Sequence, residues 1–164
     1  MQQERFMQLF DYHWSTTERL LKIASQLPND IYHSEIHSGS SSIHKLFFHL
    51  IAANHGWRIG LETGRQQVGL EHTGYSDQES IEALLIEEKA AWRTYLSQLN
   101  DDQIDSDITL TTLRGQDRSF PVWFILTHLL LHGMQHHSEL AQALSNHDHS
   151  PGNIDLIFYS GRDQ

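Results

Sequence analysis

The run HLLLHGMQHHSEL, His128 to Leu140, decides how this chain is read. Ile125, Leu129, His132, His136, Leu140 and Ala143 recur at three- and four-residue steps, the spacing that lines side chains along one face of an α-helix. Two imidazoles thus stand in a stripe that ordinarily carries aliphatic core residues. Histidines four apart leave the same helix face one turn apart, so their nitrogens can converge on one cation. The HExxH metalloproteases use this spacing, but Gly133 occupies the position of their general-base glutamate, which excludes that chemistry. His128 adds a further four-residue step. A rise of about 12 Å separates His128 from His136, so one cation cannot take all three. Alignment with Leu129 and Leu140 favours His132 and His136. His137 lies about 100° around the helix, behind the ligands or at the surface, and Glu139 is a candidate for orienting a ligand imidazole.

Three more amphipathic helices precede this one. Phe6, Leu9, Phe10, Trp14, Leu20, Leu21 and Ala24 recur at helical intervals from about Gln3 to Leu27, and Pro28, Asn29 and Asp30 end that helix. The stretch Ser38 to Ser42 supplies capping residues for a second helix from about Ile43 to Glu62, closed by Gly64. Ser76 and Glu79 read as a capping box for a third, which carries Ile81, Leu84, Leu85, Trp92, Leu96 and Leu99. Alternation changes at DITLTTLRGQDRSF, Asp107 to Phe120, where Ile108, Leu110 and β-favouring threonines flank a turn at Arg114 to Asp117. A short hairpin follows from this. Ser119 then caps the last long helix, with Pro121 in its first turn, to about Leu144. The fold class is all-α: a four-helix bundle with a short β-hairpin before the last long helix, in one domain spanning residues 1–164.

Bundles of this kind build sites from side chains on facing helices. In SIHKLFFHLIAANHGWR, Ser42 to Arg58, His49 shares a stripe with Leu46, Ala53, Gly56 and Gly60, small residues that admit a neighbouring helix. His49 is therefore the cross-helix candidate for a third ligand, while His44 and His55 fall on another face, toward a partner subunit or solvent. His33, His37, His72, His147 and His149 sit in polar segments and read as solvated side chains. Three neutral imidazoles leave coordination positions open, as catalytic sites do. Zinc is the first expectation for the divalent cation, with nickel or iron as alternatives. Spacing alone leaves a second reading level with this one: core or cleft histidines satisfied by hydrogen bonds.

Composition narrows the function classes. A formal charge of −10 with no clustered Lys/Arg stripe lacks the footprint that neutralises phosphates, so neither nucleic acid nor an anionic membrane is expected as a partner. The absence of cysteine excludes a disulfide scaffold, a thiolate metal site and a cysteine nucleophile. MQQERFMQLFDYHW at the N-terminus carries charge and has no long apolar run, which predicts neither a signal peptide nor a membrane span and a cytoplasmic protein.

At these residues the chain resembles the DinB/YfiT-like family, damage-inducible four-helix-bundle proteins distinct from the DNA polymerase that shares the name. YHWSTTERLL, Tyr12 to Leu21, is similar to the family's opening segment, with His13 in place of an Asn and Trp14 one position early. LFFHLIAANHGW, Leu46 to Trp57, looks like its second-helix segment, in which the matching ligand is His49. HLLLHGMQHHSEL resembles its His-x-x-x-His-x-x-x-His run, whose second and third members match His132 and His136. The family often follows its last His with Arg-Gly-Gln, where this chain has His137, Ser138 and Glu139.

The resemblance implies a metal triad of His49, His132 and His136 in a metal-dependent enzyme acting on a small molecule. Family members include S-transferases that use low-molecular-weight thiols such as bacillithiol or mycothiol, and a maleylpyruvate isomerase. A divalent metal there lowers the pKa of a thiol cosubstrate or a water. The alternative is a non-catalytic metal-binding stress-response protein that uses the bundle as an interaction module. Apolar helix surface, together with the resemblance, predicts a homodimer.

Overall fold

The computed structural model describes residues 1–37, 41–67 and 69–159. Its elements in chain order are α1 (Gln2–Ala24), α2 (Asn29–His33), α3 (Ile43–Thr63), a 3₁₀ turn at His72–Gly74, α4 (Gln78–Gln98) and α5 (Asp101–Asp105). The strands β1 (Asp107–Thr111) and β2 (Asp117–Pro121), α6 (Val122–Ser145) and a 3₁₀ turn at Leu156–Phe158 complete it. The four long helices form the expected bundle: α1 packs on α4 and α6, and α3 packs on the same two, so that α1 and α3 stand diagonally. The apolar stripes meet in one core, with Phe10, Trp14 and Leu20 from α1, Phe47 and Ile51 from α3, Ile81, Leu85 and Trp92 from α4, and Ile125, Leu129 and Leu140 from α6. Among the described residues no helix is long and apolar enough to cross a membrane.

Local chemistry explains most helix ends. Ser42 caps α3 by accepting from the Lys45 N–H at 3.1 Å. Gly64 closes that helix in the left-handed region at φ 71°, where a side chain would be strained, and its N–H bonds the Gly60 carbonyl at 2.8 Å. Ser38 to Ser40, the rest of the expected capping stretch, lie outside the described residues. The hairpin pairs β1 and β2 antiparallel, with Leu110 opposite Arg118 and Ile108 opposite Phe120.

Two caps differ from the sequence expectation. Asp77, not Ser76, is the N-cap of α4, and its carboxylate accepts from the Ser80 N–H at 2.8 Å; the capping box thus pairs Asp77 with Ser80, one residue beyond Ser76 and Glu79. Carboxylate and hydroxyl both serve as caps, so composition could not choose between neighbouring Ser76 and Asp77. Ser119 lies within β2, bound to the Thr109 hydroxyl at 2.8 Å, and does not cap α6. The strand runs directly into the helix through Pro121, and the Val122 N–H is taken up by the Ser106 carbonyl at 3.0 Å. Two five-residue helices, α2 and α5, were not expected. They are too short for an apolar period to register, although Asn100 and Gln103 form a reciprocal cap at the start of α5.

Beyond α6 the chain returns along α1. The Tyr12 hydroxyl donates to the Ile154 carbonyl at 2.6 Å, and Arg19 donates to the carbonyls of Pro151 and Asn153. Apolar docking of this segment is only partial: Tyr159 meets the Tyr12 ring edge-on, whereas Ile157 and Phe158 are exposed.

Candidate metal centre

His132 and His136 leave α6 one turn apart, and His49 reaches across from the facing surface of α3. Their Nε2 atoms converge: His49 to His132 is 3.2 Å and His132 to His136 is 3.1 Å. Imidazole nitrogens about 2.0–2.1 Å from a common cation stand roughly 3–3.4 Å apart, so the spacing fits a shared divalent ion. Among the described residues this is the one group of three whose ligating atoms all lie within 4.8 Å of one another. His136 is buried, His132 half-buried and His49 exposed, so the cluster opens to one side.

The surroundings favour the neutral form of His132 and His49. Burial, then the neighbouring His136 and His49, pushes His132 down to about 4. Burial, then His136, lowers His49, against the opposing pull of Glu139. Neutral imidazole is the form that ligates a metal. His136 Nδ1 lies 2.8 Å from a Glu139 carboxylate oxygen, so Nδ1–H donates there and the Nε2 lone pair faces the other two histidines. Partial burial acts to raise the Glu139 carboxyl, but hydrogen bonds from His136 and Gln135 outweigh it and hold the group below its usual range.

The remaining sequence candidates go elsewhere. His128 is exposed, parallel to His132 with ring centres 6.0 Å apart and beside Trp57 at 5.6 Å, one turn away from the cluster. His137 is fully buried and turns toward α1, where its Nε2 sits 2.8 Å from the Thr17 hydroxyl. Burial, then His136, holds it down to about 3. His44 and His55 do not face solvent as free rings. His44 is 1% exposed and contacts His33 and His72, which are therefore not merely solvated. His55 binds the buried Glu88 carboxylate at 2.6 Å.

Sequence reasoning missed a polar layer behind the candidate ligands. His13, on the core face of α1, lies with its ring against the α6 backbone at Gly133, between His132 and His136, and beside His137 at 5.0 Å. Asn54 of α3 approaches it at 3.5 Å. Burial, reinforced by His137 and His132, holds His13 well below the ordinary histidine value. The signal was present: His13 and Thr17 interrupt the stripe of Phe10, Trp14 and Leu21 much as His132 and His136 interrupt theirs.

Beside the triad lies a cavity of about 530 Å³, lined by Ile36, His37 and Leu46 on one side and by Ser138, Glu139 and Gln142 on the other. Its volume falls in the range of small-molecule sites.

The DinB family model matches residues 1–163. The chain belongs to the DinB family. Among solved structures it is similar to YfiT from Bacillus subtilis, described as a probable metal-dependent hydrolase with an unusual four-helix-bundle topology. That likeness has a TM-score of 0.69 at 13% identity, covering 90% of this chain and 88% of YfiT. It is also similar to a DinB-like protein from Bacillus subtilis (TM-score 0.65, 18% identity, covering 87% of this chain and 94% of the other). A third likeness is to a DinB-like protein from Bacillus cereus (TM-score 0.64, 19% identity, covering 88% and 92%). At these identities the structures show the shared fold. No curated protein matches the chain.

Proposed function

We propose that this DinB-family chain is a metal-dependent enzyme acting on a small molecule, with His49, His132 and His136 holding one divalent cation, zinc as first choice and nickel or iron as alternatives. The observation that carries the reading is the convergence of three histidines from two facing helices, with His132 Nε2 3.2 Å from that of His49 and 3.1 Å from that of His136 and all ligating atoms within 4.8 Å. A divalent cation bound by three imidazoles supplies Lewis acidity that brings the pKa of a water or a thiol beside it toward neutrality. The chain's own groups set up that chemistry. Glu139 fixes the His136 tautomer and also lines the neighbouring cavity, which places that space beside His136, and burial keeps His132 neutral. With no cysteine in the chain, any thiol must come from outside, as a low-molecular-weight cosubstrate in S-transfer; with water instead, the reaction is hydrolysis, the class given for YfiT. Three ligands with an open side favour catalysis over a purely structural or interaction role, in which protein ligands usually close the shell.

Metal content tests the assignment. Protein purified without chelator or nickel resin is expected to hold one tightly bound divalent ion per chain. His132→Ala removes the middle member of the triad and should weaken that binding at least tenfold. Undiminished metal in the variant would defeat the assignment. We propose further that the active form is a homodimer.

A further inference from the structure

A second group of imidazoles lies at the start of α3, five residues before His49, where three chain segments meet. His44 stands in the first turn of α3, His33 at the end of α2, and His72 in the 3₁₀ turn between α3 and α4. His44 Nδ1 and His72 Nε2 are 3.1 Å apart, the same spacing as within the triad. The His33 ring centre lies 4.6 Å from that of His44. His44 is 1% exposed and its Nε2 has no hydrogen-bond partner, while Tyr32 packs on its ring and Phe48 on that of His72. Burial first, then His33 and His72, lowers the His44 pKa, against the opposing influence of the Tyr75 backbone and the Asp77 carboxylate.

We propose that His33, His44 and His72 form a second, weaker site for a divalent transition-metal cation, which ties α2 and the segment carrying His72 to the start of α3. His44 and His72 already present two nitrogens at the separation a shared ion imposes. His33, exposed at a helix end, supplies the third by turning about its side-chain torsions. That adjustment is the physical reason for weaker binding, because among the described residues only the first triad has all its ligating atoms within 4.8 Å. Three imidazoles suit zinc, nickel or copper, and the rings of Tyr32 and Phe48 pack against His44 and His72. The site is independent of the proposed function of the triad.

Calorimetric titration of the chelator-stripped full chain with zinc at pH 7.5 tests this. The wild type is expected to take two equivalents, the second at least tenfold weaker than the first. His49→Ala/His132→Ala should keep only the weak equivalent, and His33→Gln/His72→Gln only the tight one. Because His33 is exposed and His72 half-exposed, helicity by circular dichroism should be unchanged in the latter; should it drop, His33→Gln alone must still weaken the second equivalent tenfold. Uptake of one equivalent by the wild type, or a second equivalent undiminished in His33→Gln/His72→Gln or in a folded His33→Gln, overturns the proposal. A tight equivalent that survives in His49→Ala/His132→Ala instead overturns the triad assignment alone.

Discussion

Single residues hold the two ligand helices in register with α1, and Gly133 is the clearest case. A Cβ there would collide with the buried His13 ring, whose position is fixed by α1 on one side and Asn54 on the other. Alanine in a helix ordinarily gains about 1 kcal/mol over glycine. Here overpacking, which costs about 1–3 kcal/mol, outweighs that gain, so Gly133→Ala should lower stability in urea denaturation despite its better propensity. His13 itself gives a pH dependence. Its pKa is depressed in the folded protein, so below about pH 6.5 the unfolded chain takes the proton first. Its contribution is fully present above that pH and is lost progressively as pH falls toward the native value. The melting temperature should therefore drop between pH 7.5 and pH 5, and His13→Leu should shrink that drop; an unchanged drop would remove His13 as its source. At this scale the clustered histidines were legible because His132 and His136 break an otherwise aliphatic stripe. Asn54 was not, since its amide lies 2.9 Å from the Leu50 carbonyl of its own helix and nothing in the local pattern marks it as buried.

Between elements, α3 and α4 are joined by more than apolar packing. Glu88 of α4 is 1% exposed and accepts from Arg58 Nε at 3.0 Å and Nη2 at 2.7 Å, with His55 Nδ1 on the same carboxylate. Arg58 also reaches Glu62 one turn along α3 at 3.0 Å. Burial alone would lower the Arg58 pKa; the paired carboxylates more than compensate. Removing the carboxylate leaves a buried guanidinium short of its partner, a loss of about 3–5 kcal/mol. Glu88→Ala should show that loss in chemical denaturation, and Glu88→Gln, which keeps one acceptor, a smaller one. This clasp could not be read from sequence, because Arg58 and Glu88 lie on different helices and their meeting depends on helix rotation. The long helices and the hairpin were legible, since each spans several periods of its own pattern. The short helices and the exact caps were not, because neighbouring polar residues such as Ser76 and Asp77 offer equivalent chemistry.

Over the whole molecule, apolar side chains lie outside the core along one flank. Phe124 and Leu131, two turns apart on α6, are 50% and 67% exposed. Phe120 stacks on Phe124, and Leu131 adjoins Leu156 across a cavity of about 320 Å³ that also takes in Leu9 and Leu130. Ile157 and Phe158 continue the exposed apolar surface along the C-terminal segment. Exposed apolar residues on α6 and the returning chain suit a self-complementary contact, and a single patch that meets its own copy about a two-fold axis closes without exposing a further surface. The patch is formed by residues of α6 and the returning chain, none of them a member of the triad. Light scattering should accordingly give about twice the chain mass of 19.0 kDa at micromolar concentration. Leu131→Lys, at an exposed position where the change costs the monomer little, should shift the protein to the monomer mass while the tight metal equivalent is retained. A wild type that scatters as 19.0 kDa at every concentration, or a Leu131→Lys variant that still pairs, would rule out this flank as the dimer interface.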